Sequence, residues 1–308
     1  MTIVFFGTSS FSAAILETLI ADTRFNVVAI VTAPEKPVGR KQILQESEVA
    51  HVGMSAAIPV HKLTTLRSPE SALLLNGYEA DFFVVAAYGK IIPETILNIP
   101  KIGPVNVHAS LLPKYRGASP IHGALLAGES KTGVTIMAMD AAVDHGGIYI
   151  QHPLDIEPDE CEPQLESRLA QLSIEHIGND LDHIFNGLLK PTEQDHDHAT
   201  FTAIITKDDG RIDWSKSSHE IYNQFRAYYE WPGIFTTYNG KRMKILDCQP
   251  IAESYSVTGT VTAQEQAVFI SCGSGSLQLF TIQLEGKHAV SILDFMNGHR
   301  TFIGAVLS

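Results

Sequence analysis

Residues 1–20 read MTIVFFGTSSFSAAILETLI, and the fold class turns on them. An apolar run over 2–6 is broken by Gly7-Thr8-Ser9-Ser10, after which Ala13, Leu16 and Ile20 recur at i, i+3 and i+7. That spacing marks one face of a helix, so the chain opens strand, turn, helix. The alternation continues: strand-like apolar runs lie at 27–31, 59–61, 82–86 and 105–107, with helical segments near 68–76 and 93–97. Strands that are apolar almost throughout are covered on both faces, which implies an α/β fold whose sheet is mostly parallel with helices on either side. The early turn, GTSSFS, offers one glycine where a dinucleotide-binding turn needs three, which argues against a dinucleotide reading.

The last of those strands runs into the stretch 103–121, GPVNVHASLLPKYRGASPI. Residues i and i+2 of a strand share a face, so Asn106 and His108 project together, an amide donor beside a titratable ring. The Pro- and Gly-punctuated run behind them cannot prolong the strand, and 118–127 reads as a helix. Strand-to-loop exits of this kind carry catalytic side chains in α/β folds. An isolated N-x-H serves equally well as a buried pair that satisfies backbone groups, and on these residues alone both readings stand.

Composition narrows the classes. The chain has 308 residues, room for about two domains, with 44% hydrophobic and 18% charged residues. No apolar run approaches the roughly 18 residues of a membrane span, and the start is a strand rather than a secretory signal, so a cytoplasmic protein without a membrane partner is expected. Cys161, Cys248 and Cys272 form no CxxC pair and read as small buried apolar residues. A net charge of −12 argues against coating nucleic acid by bulk electrostatics, DNA included, and leaves room for a local basic patch.

Between 31 and 59 lies a long polar connection in which Pro34, Pro37 and Gly39 argue against regular structure, and Lys36, Arg40 and Lys41 are locally basic. Beyond the 103–121 stretch, an apolar run at 132–139 leads to Asp140-Ala-Ala-Val-Asp144-His145-Gly146-Gly147, a turn, then a strand at 148–151. A long helix follows at 164–188, with Leu169, Leu172, Ile177 and Leu181 as its inner stripe. The composition then breaks at Asn186-Gly187, Pro191 and EQDHDHAT, which reads as a solvated linker. His196 and His198 lack further ligands at a fixed spacing, so no metal site is expected there. From 211 onward a helix at 219–228 precedes five short strands (235–238, 243–246, 259–262, 268–271, 277–282) and a closing helix at 292–297. Short strands with tight turns read as a small barrel of the oligonucleotide-binding type. The expected division is 1–189, a linker at 190–206, and 207–308.

Taken together, these motifs are more specific than any one of them. NVHASLLPKYRGASPI, followed 23 residues after Pro120 by Val143-Asp144, resembles the signature of folate-dependent formyltransferases. The chain as a whole resembles the methionyl-tRNA formyltransferase family through GTSSF, KPVGR, VVAAYGKIIP, GRIDWS, RAYYEWPG, CGSGSLQL, QLEGK and DFMNGHR, in that order. The resemblance implies a Rossmann-like catalytic domain, a linker and an OB-like C-terminal domain. It also implies transfer of a formyl group from 10-formyltetrahydrofolate to the amino group of methionine on initiator methionyl-tRNA. Asn106, His108 and Asp144 match the catalytic positions. Ala86, Tyr88, Gly89, Ile91, Ser110, Leu111, Leu112, Pro113, Ala141 and Val143 are expected to hold folate. Arg40, Lys41, Arg116, Lys207, Arg242 and Lys287 are expected to meet tRNA. No metal is required, and a monomer is expected. Ser110 is an unsuitable nucleophile, because its i, i+2 relation to His108 is unlike an acyl-enzyme pair. Gln42, Ile43, Glu46 and Glu48 stand where the family usually has lysine and proline, so tRNA binding is expected to be weaker and less salt-dependent. Two other classes remain: formylation of a small amine such as an amino sugar nucleotide, and RNA binding without catalysis through the barrel alone.

Overall fold

The computed structural model describes residues 1–38 and 43–308. The chain divides into two compact units interleaved in sequence: one comprises Met1–Pro120, Lys131–Asp155 and Glu166–Ala203, the other Ile121–Ser130, Ile156–Leu165 and Ile204–Ser308.

In the first unit, β1 (Thr2–Gly7), α1 (Ser10–Ala21) and β2 (Asn26–Thr32) form the opening strand-turn-helix-strand. Thr2–Phe6 has the unbroken apolar character of a strand buried on both faces, and Ile3 through Phe6 are fully buried. Ser9 caps α1, its hydroxyl accepting from the Ser12 amide, which satisfies one of the helix's orphan N–H groups. A side chain on Gly7 would meet Ser12 Cβ at 2.6 Å and the Ala86 carbonyl at 3.1 Å, so the turn after β1 passes too close to its neighbours for any other residue.

The polar connection is more ordered than its prolines suggest. β3 (Lys36–Val38) and β4 (Ile43–Gln45) pair antiparallel, and α2 (Glu48–Ser55) follows, capped by Ser47. Pro37 is tolerated because a two-stranded ribbon consists only of edges. Next come β5 (Val60–Lys62), α3 (Pro69–Asn76), β6 (Phe82–Ala86), α4 (Glu94–Leu97) and β7 (Gly103–His108). β8 (Arg116–Gly117), α5 (Pro120–Leu126), β9 (Lys131–Ala138), β10 (Ile148–Asp155), α6 (Glu162–Phe185) and β11 (Phe201–Thr202) complete the first two-thirds of the chain. The main sheet runs β10-β9-β7-β6-β1-β2-β5. β5, β2, β1, β6 and β7 are parallel to one another, while β9 and β10 are antiparallel additions. Val4, Phe6, Phe83, Val85 and Ile96 belong to one buried cluster of its core, with the Tyr88 ring edge-on to Phe6 at 5.6 Å.

In the second unit, α7 (Ser218–Ala227) is held at its start by a reciprocal cap between Ser217 and Glu220. β12 (Ile234–Tyr238), β13 (Lys241–Ile251), β14 (Val261–Gln264), β15 (Ala267–Ser271), β16 (Ser276–Leu284), β17 (Val290–Ser291) and α8 (Ile292–Gly298) follow. The antiparallel sheet has the order β12-β13-β16-β15-β14, with β17 against β16. The ladder between β13 and β16 shifts register on either side of Asp247, the kind of irregularity that lets a small sheet coil. Among the described residues no helix is long and apolar enough to cross a membrane.

Candidate active site

β7 ends at the carboxyl edge of the parallel sheet, where ligands bind in open α/β folds. Its last residues deliver Asn106 and His108 side by side, buried at 8% and 5% exposure. Asp144 comes from the turn after β9, with its backbone at φ +49°, in the left-handed region. That conformation is uncommon for a residue with a side chain and marks a position held by its surroundings.

The three side chains converge. Asn106 Nδ2 donates to Asp144 Oδ1 at 3.2 Å, and His108 Nδ1 lies 3.7 Å from Asp144 Oδ2. The Gly117 amide donates to the same Oδ2 at 2.8 Å. On the far side of the ring, His108 Nε2 lies 3.0 Å from the Tyr115 carbonyl. A carbonyl only accepts, so Nε2 carries a proton, and Nδ1 faces the carboxylate. The result is a carboxylate with an amide donor, a backbone donor and an imidazole around it.

The loop between β7 and β8 is shaped by its own polar groups. Ser110 Oγ donates to the Lys114 carbonyl at 2.7 Å, Thr135 Oγ1 donates to the Ser110 carbonyl at 2.6 Å, and the Leu112 amide donates to Thr135 Oγ1. Gln151 Nε2 closes the turn by donating to the Leu112 carbonyl at 2.8 Å. The peptide bond between Leu112 and Pro113 is cis. Ser110, with its hydroxyl committed to the loop, is a structural residue here. Gly117, at φ +107°, lies where a side chain would come within 2.4 Å of the Thr202 carbonyl.

Residues expected around folate take distinct positions. Ala86, Ser110 and Leu112 are buried, Leu111 and Pro113 are half-buried, and Gly89, Ile91, Ala141 and Val143 are exposed. Tyr88 turns its ring into the core, where burial pushes its hydroxyl up to about 12, and its carbonyl accepts from Thr8 Oγ1.

The expected tRNA contacts divide more sharply. Arg40 and Lys41 lie outside the described residues. Lys207 and Lys287 are exposed, and Arg242 stacks over the Phe235 ring at 3.8 Å. Arg116 is a correction: it is 3% exposed, and its guanidinium donates to Gln194 Oε1 from Nε (3.1 Å) and Nη2 (2.7 Å) and to His196 Nδ1 (2.8 Å). A buried guanidinium with these partners presents no face to a phosphate.

The stretch expected as a solvated linker is mostly exposed, and it is also pinned to the sheet and loops at particular points. Thr192 pairs with Ile148, and β11 lies parallel to β8. Thr200 Oγ1 accepts from the Tyr115 amide, Thr202 Oγ1 accepts from the Ser119 amide, and Gln194 is 5% exposed. Gln, Thr and His side chains supply hydrogen bonds that backbone pairing would otherwise make, so a polar and mostly exposed stretch without hydrophobic periodicity is still held in place.

Comparison with known proteins agrees with this architecture. Residues 1–181 match the family described as formyl transferase, and residues 204–300 match the formyl transferase C-terminal domain. A methionyl-tRNA formyltransferase of Caldicellulosiruptor saccharolyticus is 40% identical over 100% of both chains, and that of Trichlorobacter lovleyi is 37% identical over 99% of this chain and 96% of its own. Among solved structures, a methionyl-tRNA formyltransferase from Clostridium thermocellum superposes with a TM-score of 0.57 at 17% identity, covering 81% of this chain and 93% of its own. An N-formyltransferase from Helicobacter canadensis, in complex with folinic acid and dTDP-3-aminofucose, superposes at 0.67 and 20% identity, covering 90% and 97%.

Proposed function

The chain belongs to the formyl transferase family, and from its full-length kinship with methionyl-tRNA formyltransferases we propose that it moves the formyl group of 10-formyltetrahydrofolate onto the α-amino group of methionine on initiator tRNA. The observation that carries the chemistry is the convergence of Asn106 and His108 on Asp144.

Formyl transfer to an amine forms one C–N bond and breaks another. As the amine nitrogen joins the formyl carbon, negative charge collects on the formyl oxygen, and the attacking nitrogen must give up a proton. Asn106 has two amide hydrogens, of which one is engaged by Asp144, leaving the other for the oxyanion. His108 supplies the second donor when Nδ1, which lies 3.7 Å from Asp144 Oδ2, carries a proton. Preorganised donors of this kind are the largest single contribution to many acyl transfers. Asp144 accepts the amine proton directly or through water, and the departing folate nitrogen takes up a proton. The residues after β6 and those at 110–113 and 141–143 hold the pterin under this reading, Ser110 by shaping the wall. Lys207, Arg242 and Lys287 serve the tRNA.

Enzyme incubated with 10-formyltetrahydrofolate and charged initiator tRNA should yield formylmethionyl-tRNA. No product at micromolar enzyme overturns the reading. Formylation of an amino sugar nucleotide without any RNA would favour a small-amine acceptor instead.

A further inference from the structure

Gln194 lies in the polar stretch after α6, and its amide occupies the space between two loops. Nε2 donates to the carbonyl oxygens of Asp144 (2.9 Å) and Gly146 (2.7 Å), while Oε1 accepts both Arg116 donors. The orientation is fixed by chemistry, since carbonyls only accept and a guanidinium only donates. All four amide bonds are used, in a site 5% exposed.

Asp144 has its carboxylate and its backbone held separately. The carboxylate is gripped by Gly117 N–H and Asn106 Nδ2, and the carbonyl by Gln194. Arg116 is next to Gly117 in sequence and lies on the strand that pairs with β11. The chain Arg116–Gln194–Asp144 therefore ties the loop carrying the Gly117 donor to the loop carrying the carboxylate it grips. From this geometry we infer that Gln194 is a positioning residue for formyl transfer, setting the carboxylate of Asp144 against Asn106 and His108 without touching substrate. The inference rests on the proposed function for its kinetic consequence, and on the free protein for its geometric one.

Gln194→Glu separates the two halves of the amide. A glutamate keeps both acceptor contacts to Arg116 as a buried ion pair, but it cannot donate to the two carbonyls. Gln194→Ala removes both halves and controls for the added charge. The reporter is the Gly117 amide, whose proton resonance and hydrogen exchange depend on Oδ2 of Asp144 being 2.8 Å away. In both variants the Gly117 amide proton is expected to move upfield and exchange faster. The kcat for formylation is expected to fall tenfold or more, with KM for folate and for tRNA changing less than twofold, and Gln194→Glu is expected to remain folded at the assay temperature while melting below the parent protein, because its carboxylate faces two carbonyl oxygens. An unmoved Gly117 amide in both variants, or an unchanged kcat in a protein that formylates methionyl-tRNA, overturns the inference. If the parent protein does not formylate methionyl-tRNA, the proposed function fails by itself, and the Gly117 amide still decides where Asp144 is held.

Discussion

The amide of Asn106 donates to Oδ1 of Asp144 across 3.2 Å, so the two residues act as a coupled unit. Asn106→Ala removes an oxyanion donor and should cost about a hundredfold or more in kcat. Asp144→Asn should cost at least as much. The Gly117 N–H would keep a carbonyl oxygen on its side of the new amide and turn the NH2 group toward the amide of Asn106, donor against donor. Because the side chains touch, the double variant should lose less than the product of the single losses, which steady-state kinetics on all three would show.

The tautomer of His108 is a second prediction. With the Tyr115 carbonyl 3.0 Å from Nε2, the neutral ring is protonated at Nε2. Nitrogen-15 chemical shifts of the ring should report Nε2–H in the free enzyme. Observation of an Nδ1–H neutral ring would mean that Asp144 and Tyr115 do not hold the imidazole as described.

Salt dependence distinguishes surface cations from interior ones. Each phosphate neutralised contributes about 0.7 to 0.9 to the slope of log affinity against log salt. Lys207→Ala and Lys287→Ala should each shallow that slope if those exposed side chains meet RNA. Arg116→Ala should leave the slope alone and lower turnover, because its guanidinium is spent on Gln194 and His196. A filter-binding series across salt concentrations tests all three.

The thiols should be inert. Burial pushes Cys161 up to about 11 and Cys272 up to about 12, and Cys248 lies well above the ordinary thiol range for the same reason. The thiolate is the reacting form. At pH 8 a disulfide reagent should modify no thiol rapidly in the native protein and all three cysteines in denaturant.

His122 ties stability to pH in the second unit, where its ring faces that of Tyr228 at 6.1 Å. Burial lowers it from 6.5 to about 4. Between those values the unfolded chain takes up a proton that the folded chain refuses, so the contribution is complete above pH 6.5 and is lost as pH falls toward 4. The urea midpoint should drop between pH 7 and pH 5, and His122→Phe should reduce that drop.

Much of the first unit was legible because the apolar strands at 2–6, 82–86 and 105–107 have no other stable home than a covered sheet. Asn106 and His108 were readable from strand alternation, and Asp144 from the family resemblance alone. The ribbon around Pro37 was not readable, since local proline chemistry argues against a strand and says nothing of a partner seven residues on. Gln194 and the buried Arg116 escaped for a different reason. A polar side chain that replaces a backbone hydrogen bond leaves no periodicity, and a motif arginine has the same letter whether it faces solvent or the interior. The signal was present only as pairs, Arg116 with Gln194 and Thr202 with Gly117, which are 78 and 85 positions apart.

The lateral pairing of β11 with β8 decides where this protein can be shortened. A chain cut after residue 189 would retain Asn106, His108 and Asp144 and lose Gln194, Thr200 and Thr202, which brace the loops around them. One cut after residue 203 would retain the braces as well as the triplet. Proteolysis between these limits should therefore mark the difference between a fragment that merely contains the catalytic residues and one that can still hold them in place.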